Sequence, residues 1–196
     1  VAMEQHDDPA SPDAPPPALV PGHEGQVHAL VVGASRGIGA ALARSLALHP
    51  GVEALYLAAR RPGSSDSMSR LCAEHAGRVH ALACDVTDPA SLAALSAGIA
   101  GRSPRLHLVL NTAGVLHDAG IAPEKSIRQV QVASLQRAFA VNAIGPILLA
   151  QSLLPLLAHR EPAVFGSLSA RVGSIGDNRL GGWYAYRASK AAQNQL

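Results

Sequence analysis

The sequence predicts an α/β protein built on a doubly wound parallel sheet with helices on both faces. From residue 27 onward, short β-branched runs alternate with longer Ala/Leu-rich amphipathic stretches, which is the pattern of strand–helix units around a parallel sheet. The composition is 48% hydrophobic but only 3% aromatic, which suits helices packed closely on a sheet better than an all-β sandwich. The 196 residues are enough for one domain with a sizeable core.

Five strands and five helical stretches follow from this alternation. The predicted strands are Val27 to Val32, Ala54 to Ala58, Val79 to Ala83, Leu106 to Leu110 and Ala163 to Leu168. The predicted helices lie near 37 to 48, 66 to 76, 88 to 99 and 134 to 158, and a last helix begins near Tyr184. In such sheets ligands bind beyond the carboxyl ends of the strands, where the strand order reverses. The residues that follow each strand are therefore the candidate site.

The remaining composition excludes several classes of function. Residues 1–25 are acidic and proline-rich, so we expect a disordered tail ahead of a domain over 26–196. A net charge of +2 with scattered basic residues argues against nucleic acid, and no run approaches the roughly 18 consecutive apolar residues of a membrane span. The histidines lack ligand spacing, so no metal is predicted. Two cysteines, Cys72 and Cys84, fit buried thiols of a reducing compartment, which favours the cytoplasm.

The first predicted strand ends in the glycine-rich stretch GASRGIG, at residues 33 to 39. Gly33, Gly37 and Gly39 allow the backbone to turn tightly and to approach a pyrophosphate, which the free N–H groups at a helix start then bind. The spacing is G-x-x-x-G-x-G instead of G-x-G-x-x-G. The alternative is a turn that only brings the helix close to the strand.

The second strand ends in AARRP, where a fold specific for NAD would carry an acid that holds the ribose hydroxyls. Arg60 and Arg61 occupy this region instead, and Arg36 lies within the glycine loop. Guanidinium groups can pair with a 2′-phosphate through two parallel hydrogen bonds, whereas an acid would repel it. The charge pattern favours NADP(H), with NAD(H) as the alternative; a solvated surface role is more plausible for Arg61 than for the other two.

Two further strand ends carry candidate cofactor contacts. Asp85, in CDVTD, could accept a hydrogen bond from an adenine amino group, whereas capping of the next helix suits Thr87 or Asp88 better. The small residues of NTAG, 111 to 114, leave room for a flat ring or a ribose against the backbone; alone, they could also be a simple turn.

The stretch GGWYAYRASK, residues 181 to 190, contains two tyrosines and a lysine. On a helix, residues four apart share a face and residues two apart do not, so Tyr186 can meet Lys190. A nearby ammonium, together with an oxidised nicotinamide, would stabilise the phenolate and lower the pKa of Tyr186 from its ordinary value near 10. Tyr186 could then exchange a proton with a carbonyl or alcohol oxygen. Tyr184 and Trp183 are more simply packing or pocket-wall residues.

These motifs, in this order, resemble the short-chain dehydrogenase/reductase family. The resemblance runs from about residue 27 to the last residue, and SARVGSIGDNRLGGWYAYRASKAA is similar to the C-factor-like branch with its Sniffer-type carbonyl reductases. It implies a Rossmann-type fold and a small-molecule carbonyl or alcohol substrate. Because the family fold continues for two more strands, we also expect a chain truncated at its carboxyl end, with an exposed fifth strand, an incomplete substrate pocket and uncertain activity as a fragment. The intact protein is expected to form a homodimer or homotetramer.

The resemblance also implies roles for individual residues. Tyr186 is expected to act as general acid/base, Lys190 to bind the nicotinamide ribose, and Asn142 to bend its helix and hold a relay water; the alternative for Asn142 is a satisfied core amide. Ser169 is expected to orient the substrate carbonyl, with Ser167 as the alternative. The expected cofactor contacts, besides Tyr186 and Lys190, are Gly33, Ser35, Arg36, Gly37, Ile38, Gly39, Arg60, Asp85, Val86, Asn111, Ala113 and Gly114.

Two functions follow from this reading. The first is an NADP-dependent carbonyl reductase or alcohol dehydrogenase that works by hydride transfer. The second is a nucleotide-binding signalling or regulatory protein without turnover, which the C-factor resemblance keeps open. The complete set of Ser, Tyr, Lys and Asn favours the enzyme, because a protein that only binds nucleotide has no physical need for a tuned phenol.

Overall fold

A computed structural model describes residues 18–118 and 122–196. The strands are β1 (Val27–Val32), β2 (Val52–Ala59), β3 (Val79–Ala83), β4 (Leu108–Asn111) and β5 (Val164–Ser167). The helices are α1 (Gly37–Leu48), α2 (Asp66–Glu74), α3 (Pro89–Ala100), α4 (Val132–Phe139), α5 (Gly145–Leu157) and α6 (Tyr184–Gln195). A π-helical segment, Ala140–Ile144, joins α4 to α5.

The five strands form one parallel sheet in the order β3-β2-β1-β4-β5. The order reverses between β1 and β4, whose ends pair at Val32 and Asn111. The connections after these two strands leave in opposite directions and open a crevice at the carboxyl edge. The prediction of a doubly wound parallel sheet is confirmed.

Helices cover both faces because the residues of the central strands are apolar on both sides. Ala29 and Val31 of β1 pack in a cluster with α1 and α2, whereas Leu30 and Val32 pack with α3 and α5 on the other face. A strand buried on both faces reads as a continuous apolar run, as the last four residues ALVV of β1 do.

The packed part of the chain begins before the predicted boundary at residue 26. Val20 is fully buried in the cluster on the α1 side, and Leu19 packs against it. These two apolar residues lie in a proline-rich stretch, which is why composition alone assigned them to the tail. Residues 1–17 of the predicted tail lie outside the described residues.

The helical stretch Val132–Leu157 is long and apolar enough, by length and composition alone, to cross a membrane. The stretch meets the criterion of length and composition even though polar residues interrupt its apolar runs. Leu149, Leu153 and Leu156 are buried against the sheet, as expected for the core helix of an α/β domain. The absence of a membrane partner stays a prediction.

Candidate active site

The glycine loop between β1 and α1 needs glycine for two different reasons. Gly33 (φ 86°) and Gly37 (φ 57°) adopt the left-handed region that disfavours other residues. Gly39 has an ordinary backbone, but a Cβ there would collide with the Gly33 carbonyl oxygen and the Thr112 hydroxyl. The loop is therefore closed tightly against β4, while Gly37 faces open space.

The loop forms one wall of a cleft of about 380 Å³ at the carboxyl edge of the sheet. The start of α1 opens into this wall with no side-chain cap, so its first N–H groups remain available to an anion. The structure brings to this cleft nearly all the predicted cofactor contacts: Gly33, Ser35, Arg36, Gly37, Ile38, Gly39, Arg60, Asp85, Val86, Ala113 and Gly114.

Three of the predicted cofactor contacts do not line the cleft, namely Asn111, Tyr186 and Lys190. Asn111 is 1% exposed, its Nδ2 donates to Ser167 Oγ at 2.9 Å, and its Oδ1 accepts from the Ala113 N–H at 3.2 Å. Its observed contacts join the ends of β4 and β5 and shape the NTAG turn.

Positive charge gathers on the side of the cleft near β2. Arg36 and Arg60 are exposed on the cleft wall, and none of the ion pairs among residues 18–118 and 122–196 involves either of them. Their guanidinium groups are thus open to an anionic ligand. Arg61, the neighbour of Arg60, does not line the cleft.

Asp85 is held as a carboxylate. Its Oδ1 accepts from the Thr87 N–H at 2.9 Å and from the Thr87 hydroxyl at 2.7 Å. Burial opposes the charge, but these hydrogen bonds and the positive charges of Arg137 and Arg60 hold the pKa of Asp85 below its ordinary value. The following helix is capped by Asp88, which accepts from Ala90 N–H at 3.0 Å.

The cleft also contains two residues that the sequence analysis did not place there. Arg137 of α4 lines it and lies 3.9 Å, Nε to Oδ2, from Asp118. Cys84 lines it too, but burial and the charge of Asp85 raise its thiol pKa to about 12, so this thiol is not a nucleophile at neutral pH. Whether Arg137 faces the cleft depends on the rotation of α4 about its own axis, and the sequence pattern does not indicate that rotation.

Asn142 lies in the π segment, fully buried, with its side chain satisfied by protein groups. Its Oδ1 accepts from the Val115 N–H at 2.8 Å, and its Nδ2 donates to the Val115 carbonyl at 2.9 Å and to Ser189 Oγ at 3.0 Å. The amide thereby fastens α4 to the NTAG turn and to α6. Asn142 thus lies in an irregular part of the helix, as the resemblance implied. Its side chain is also a satisfied core amide, which was the alternative.

Tyr186 and Lys190 lie on one face of α6, with Nζ 5.9 Å from the centre of the phenol ring. Lys190 is 3% exposed, and burial lowers its pKa to about 8. Burial also raises the pKa of Tyr186, which is opposite to the predicted lowering. That prediction counted on two positive charges, the ammonium and an oxidised nicotinamide, whereas in the chain alone burial is the cause that sets the direction of the shift.

Ser169 is exposed and donates to Asn194 Oδ1 at 2.5 Å. Asn194 follows Tyr186 by eight residues, so about 12 Å along the axis of α6 separate the two positions. The Ser169 hydroxyl is therefore bound to a residue more than two helical turns beyond Tyr186. Ser167, the alternative, accepts hydrogen bonds from Asn111 and Gln193.

The start of α6 is held by Glu124, a residue that the sequence gave no reason to select. Trp183, just before the helix, has φ 53° and no capping side chain. The Glu124 carbonyl accepts from its N–H at 2.6 Å, and the buried Glu124 carboxylate lies 3.4 Å from the Ala185 N–H. Trp183 and Tyr186 meet edge to face at 6.4 Å, whereas Tyr184 is 37% exposed.

A second cluster of ionisable groups lies near the amino ends of β1 and β4, where His23, His107 and Glu161 approach within 4.8 Å of one another. His107 Nδ1 accepts from the His28 N–H at 3.0 Å, so a neutral His107 carries its proton on Nε2 and donates to Glu161 at 2.8 Å. A metal would need that nitrogen deprotonated, and the second ring nitrogen of a metal-bound histidine is normally a donor. The hydrogen bonds therefore oppose a metal ion here.

The family model for short chain dehydrogenases matches residues 27–196. Over 169 residues the chain is 34% identical to a 1-hydroxy-2-glutathionyl-2-methyl-3-butene dehydrogenase of Rhodococcus sp. (strain AD45), a match over 85% of this chain and 66% of that protein. It is 38% identical over 69 residues to the C-signal of Myxococcus xanthus, covering 35% and 42% of the two chains. The chain thus spans less than two thirds of these curated relatives.

Solved structures show the same fold. An NADPH-bound carbonyl reductase from chicken fatty liver superimposes with a TM-score of 0.77 at 30% identity, covering 91% of this chain and 73% of that one. The carbonyl reductase Sniffer of D. melanogaster also has a TM-score of 0.77, at 28% identity, covering 87% and 72%. These matches confirm the predicted resemblance, including its C-factor-like and Sniffer-like branch.

Proposed function

Because the chain belongs to the short chain dehydrogenase family, we propose that it is part of an NADP(H)-dependent carbonyl reductase or alcohol dehydrogenase. The observation that carries the proposal is the cleft together with the helix beside it, which bring three complementary parts close to one another. A glycine loop and an uncapped helix start would receive the pyrophosphate, and Arg36 and Arg60 lie beside them without an ion pair to the described part of the chain, 18–118 and 122–196. The pair Tyr186 and Lys190 lies on the helix beyond the NTAG turn.

The residues present fit NADP(H). Arg36 and Arg60 would bind the 2′-phosphate, Asp85 would accept from the adenine amino group, and the small residues Ala113 and Gly114 would lie against the ribose or nicotinamide. The NADPH named for the chicken liver relative supports this choice of cofactor over NAD(H). The chemistry that NADP(H) supplies is a hydride for the carbonyl carbon.

The chain's own residues would handle the proton and the orientation of the substrate. Tyr186 would donate its proton to the carbonyl oxygen during reduction and take it back during oxidation. The Lys190 ammonium would favour the phenolate left behind and bind the nicotinamide ribose. Asn142 would support a water in the relay to Lys190. Ser169 would give the carbonyl oxygen a second hydrogen bond after leaving Asn194.

The decisive experiment compares the two tyrosines of the YAY sequence. Oxidation of NADPH would be measured by absorbance with a panel of aldehydes, ketones and quinones. Tyr186→Phe should lower turnover at least about 10²-fold, because it removes the proton donor, while Tyr184→Phe should stay within about twofold of the parent. Equal rates for the parent and Tyr186→Phe would contradict the mechanism.

A nucleotide-binding protein without turnover is the second candidate function. The observation in its favour is the Ser169 hydroxyl, which donates to Asn194 and is thus already occupied, and the similarity to the C-signal agrees with it. Binding of NADPH by the parent chain without oxidation of the nucleotide by any substrate of the panel would favour this candidate.

The proposal also covers the substrate class, the cellular location and the oligomeric state of the protein. We expect a small-molecule substrate, a cytoplasmic location and a homodimer or homotetramer for the full protein. Size-exclusion chromatography with light scattering would measure the last of these directly.

A further inference from the structure

Lys190 has a side-chain neighbour that the proposed mechanism does not use. Its Nζ donates to Gln193 Oε1 at 2.7 Å and to the Leu168 carbonyl at 2.8 Å. An ammonium has three N–H donors, so these two bonds leave one for a ligand. Gln193 follows Lys190 by three residues on α6, which places both side chains on one face.

The orientation of the Gln193 amide is fixed by both of its ends. Its Oε1 must face Lys190, because an ammonium only donates hydrogen bonds. Its Nε2 donates to Ser167 Oγ at 2.8 Å and lies 3.3 Å from the Leu168 carbonyl, which only accepts. A flipped amide would set donor against donor at Lys190.

The bonds of Gln193 extend to the middle of the sheet. Ser167 Oγ accepts from Gln193 and also from Asn111 Nδ2 at 2.9 Å, and Asn111 lies at the carboxyl end of β4. The ammonium of Lys190 is thus joined through Gln193 and Ser167 to the ends of β5 and β4. A lysine side chain is long and flexible, so such an anchor determines where its charge lies.

We propose that Gln193 is a positioning residue for Lys190: its side-chain amide keeps the ammonium protonated and in place beside Tyr186. The catalytic consequence rests on the proposed function, whereas the effect on Lys190 does not.

The groups around Lys190 explain why its hydrogen bond to the Gln193 side-chain amide is important. The titratable side chain in contact with it is Tyr186 on its own helix. The groups around it from other elements are the Leu168 carbonyl after β5, the Asn142 amide of the π segment and Gly173, which are all neutral. Burial lowers the pKa of Lys190 to about 8, and no carboxylate of residues 18–118 and 122–196 is among its hydrogen-bond partners. The hydrogen bonds that the ammonium donates to neutral acceptors therefore support its charged form.

The chain has two lysines, which makes a direct measurement practical. With ¹³Cε-labelled lysine, the NMR titrations of Lys190 and of the exposed Lys125 can be followed separately, and the Lys190→Arg variant assigns the signals. In Gln193→Leu the Lys190 midpoint should fall by about one pH unit, because a hydrogen bond to the charged form is lost. In the nearly isosteric Gln193→Glu it should rise.

Gln195→Leu is the matched control, since Gln195 is exposed and lies two residues further along α6. It should leave the Lys190 midpoint at the parent value. A Gln193→Leu midpoint equal to that of the control, or a Gln193→Glu midpoint at or below that of the parent, would overturn the proposal. The readout needs no turnover, so an inactive parent protein would count against the proposed function and leave this inference intact.

Discussion

At the scale of single residues, the glycine loop separates two demands that look alike in the sequence. Gly37 supplies a left-handed backbone and faces open space, whereas Gly39 supplies room next to the Gly33 carbonyl and Thr112. A methyl group at Gly37 costs only backbone strain. A methyl group at Gly39 forces the start of α1 away from β4.

We therefore predict different costs for the two alanine variants. Gly39→Ala should lower the free energy of unfolding by about 2–3 kcal/mol, as expected for overpacking against backbone. Gly37→Ala should lower it by about 1 kcal/mol, the cost of a left-handed alanine. Urea unfolding followed by circular dichroism measures both. A larger loss for Gly37→Ala would mean that the loop is not closed as described.

At the scale of elements, the site consists of short connections at strand ends, each contributing one kind of contact. The β1–α1 loop contributes N–H groups, the end of β2 contributes Arg60, and the end of β3 contributes Asp85. Arg60 and Arg61 are adjacent and both exposed, but only Arg60 lines the cleft. Of these two neighbours, only Arg60 should therefore contribute to the preference for the phosphorylated nucleotide.

Replacement of each arginine by aspartate tests this. Arg60→Asp should weaken NADPH binding at least about tenfold, since it replaces a charged hydrogen-bond donor with a like charge, and should affect NADH little. Arg61→Asp should change neither affinity more than about twofold. Fluorescence titration of the bound dihydronicotinamide gives the four dissociation constants. Equal losses of NADPH affinity in both variants would indicate that the arginines act through long-range electrostatic attraction and not through contact with the phosphate.

Sequence periodicity located most elements because each strand and helix buries its own apolar face. β1, β3 and α1 have the predicted limits, while β2 and β4 differ from prediction by one to two residues at their ends. The π segment around Asn142 was not predicted in detail, because one extra residue per turn changes hydrogen-bond partners without changing the apolar composition. Arg137 and Glu124 were missed because contacts between distant elements leave no local pattern. Gln193 was missed because its spacing from Lys190 alone does not show which polar residue of α6 meets the ammonium.

At the scale of the whole molecule, the sheet carries ionisable groups at both ends. The cleft lies at its carboxyl edge, and the histidine cluster lies where β1 and β4 begin. His107 is 2% exposed and packs against the rings of His23, His28 and His159 at 4.4–5.5 Å. Burial lowers the pKa of His107, although its hydrogen bond with Glu161 opposes the shift.

This cluster should make the fold sensitive to mild acid. Because the folded-state pKa of His107 is lowered, the unfolded chain binds the proton more readily, and stability falls as the pH drops below the ordinary histidine value of about 6.5. Between pH 7 and 5 the parent should lose more unfolding free energy than His107→Gln, whose amide can donate and accept a hydrogen bond without titrating. Urea unfolding at a series of pH values checks this, with exposed His117→Gln as control. Identical slopes for the parent and His107→Gln would contradict it.

The irregular turn around Asn142 takes up one additional residue without changing the direction in which α5 faces. A π turn holds about one residue more than a regular α-helical turn and sweeps nearly the same angle, so the segment Ala140–Ile144 leaves the helices on its two sides in phase. Leu149, Leu153 and Leu156 therefore face the sheet, while the Asn142 amide reaches Val115 and Ser189. One continuous helical stretch thus combines a polar anchor with an apolar core face.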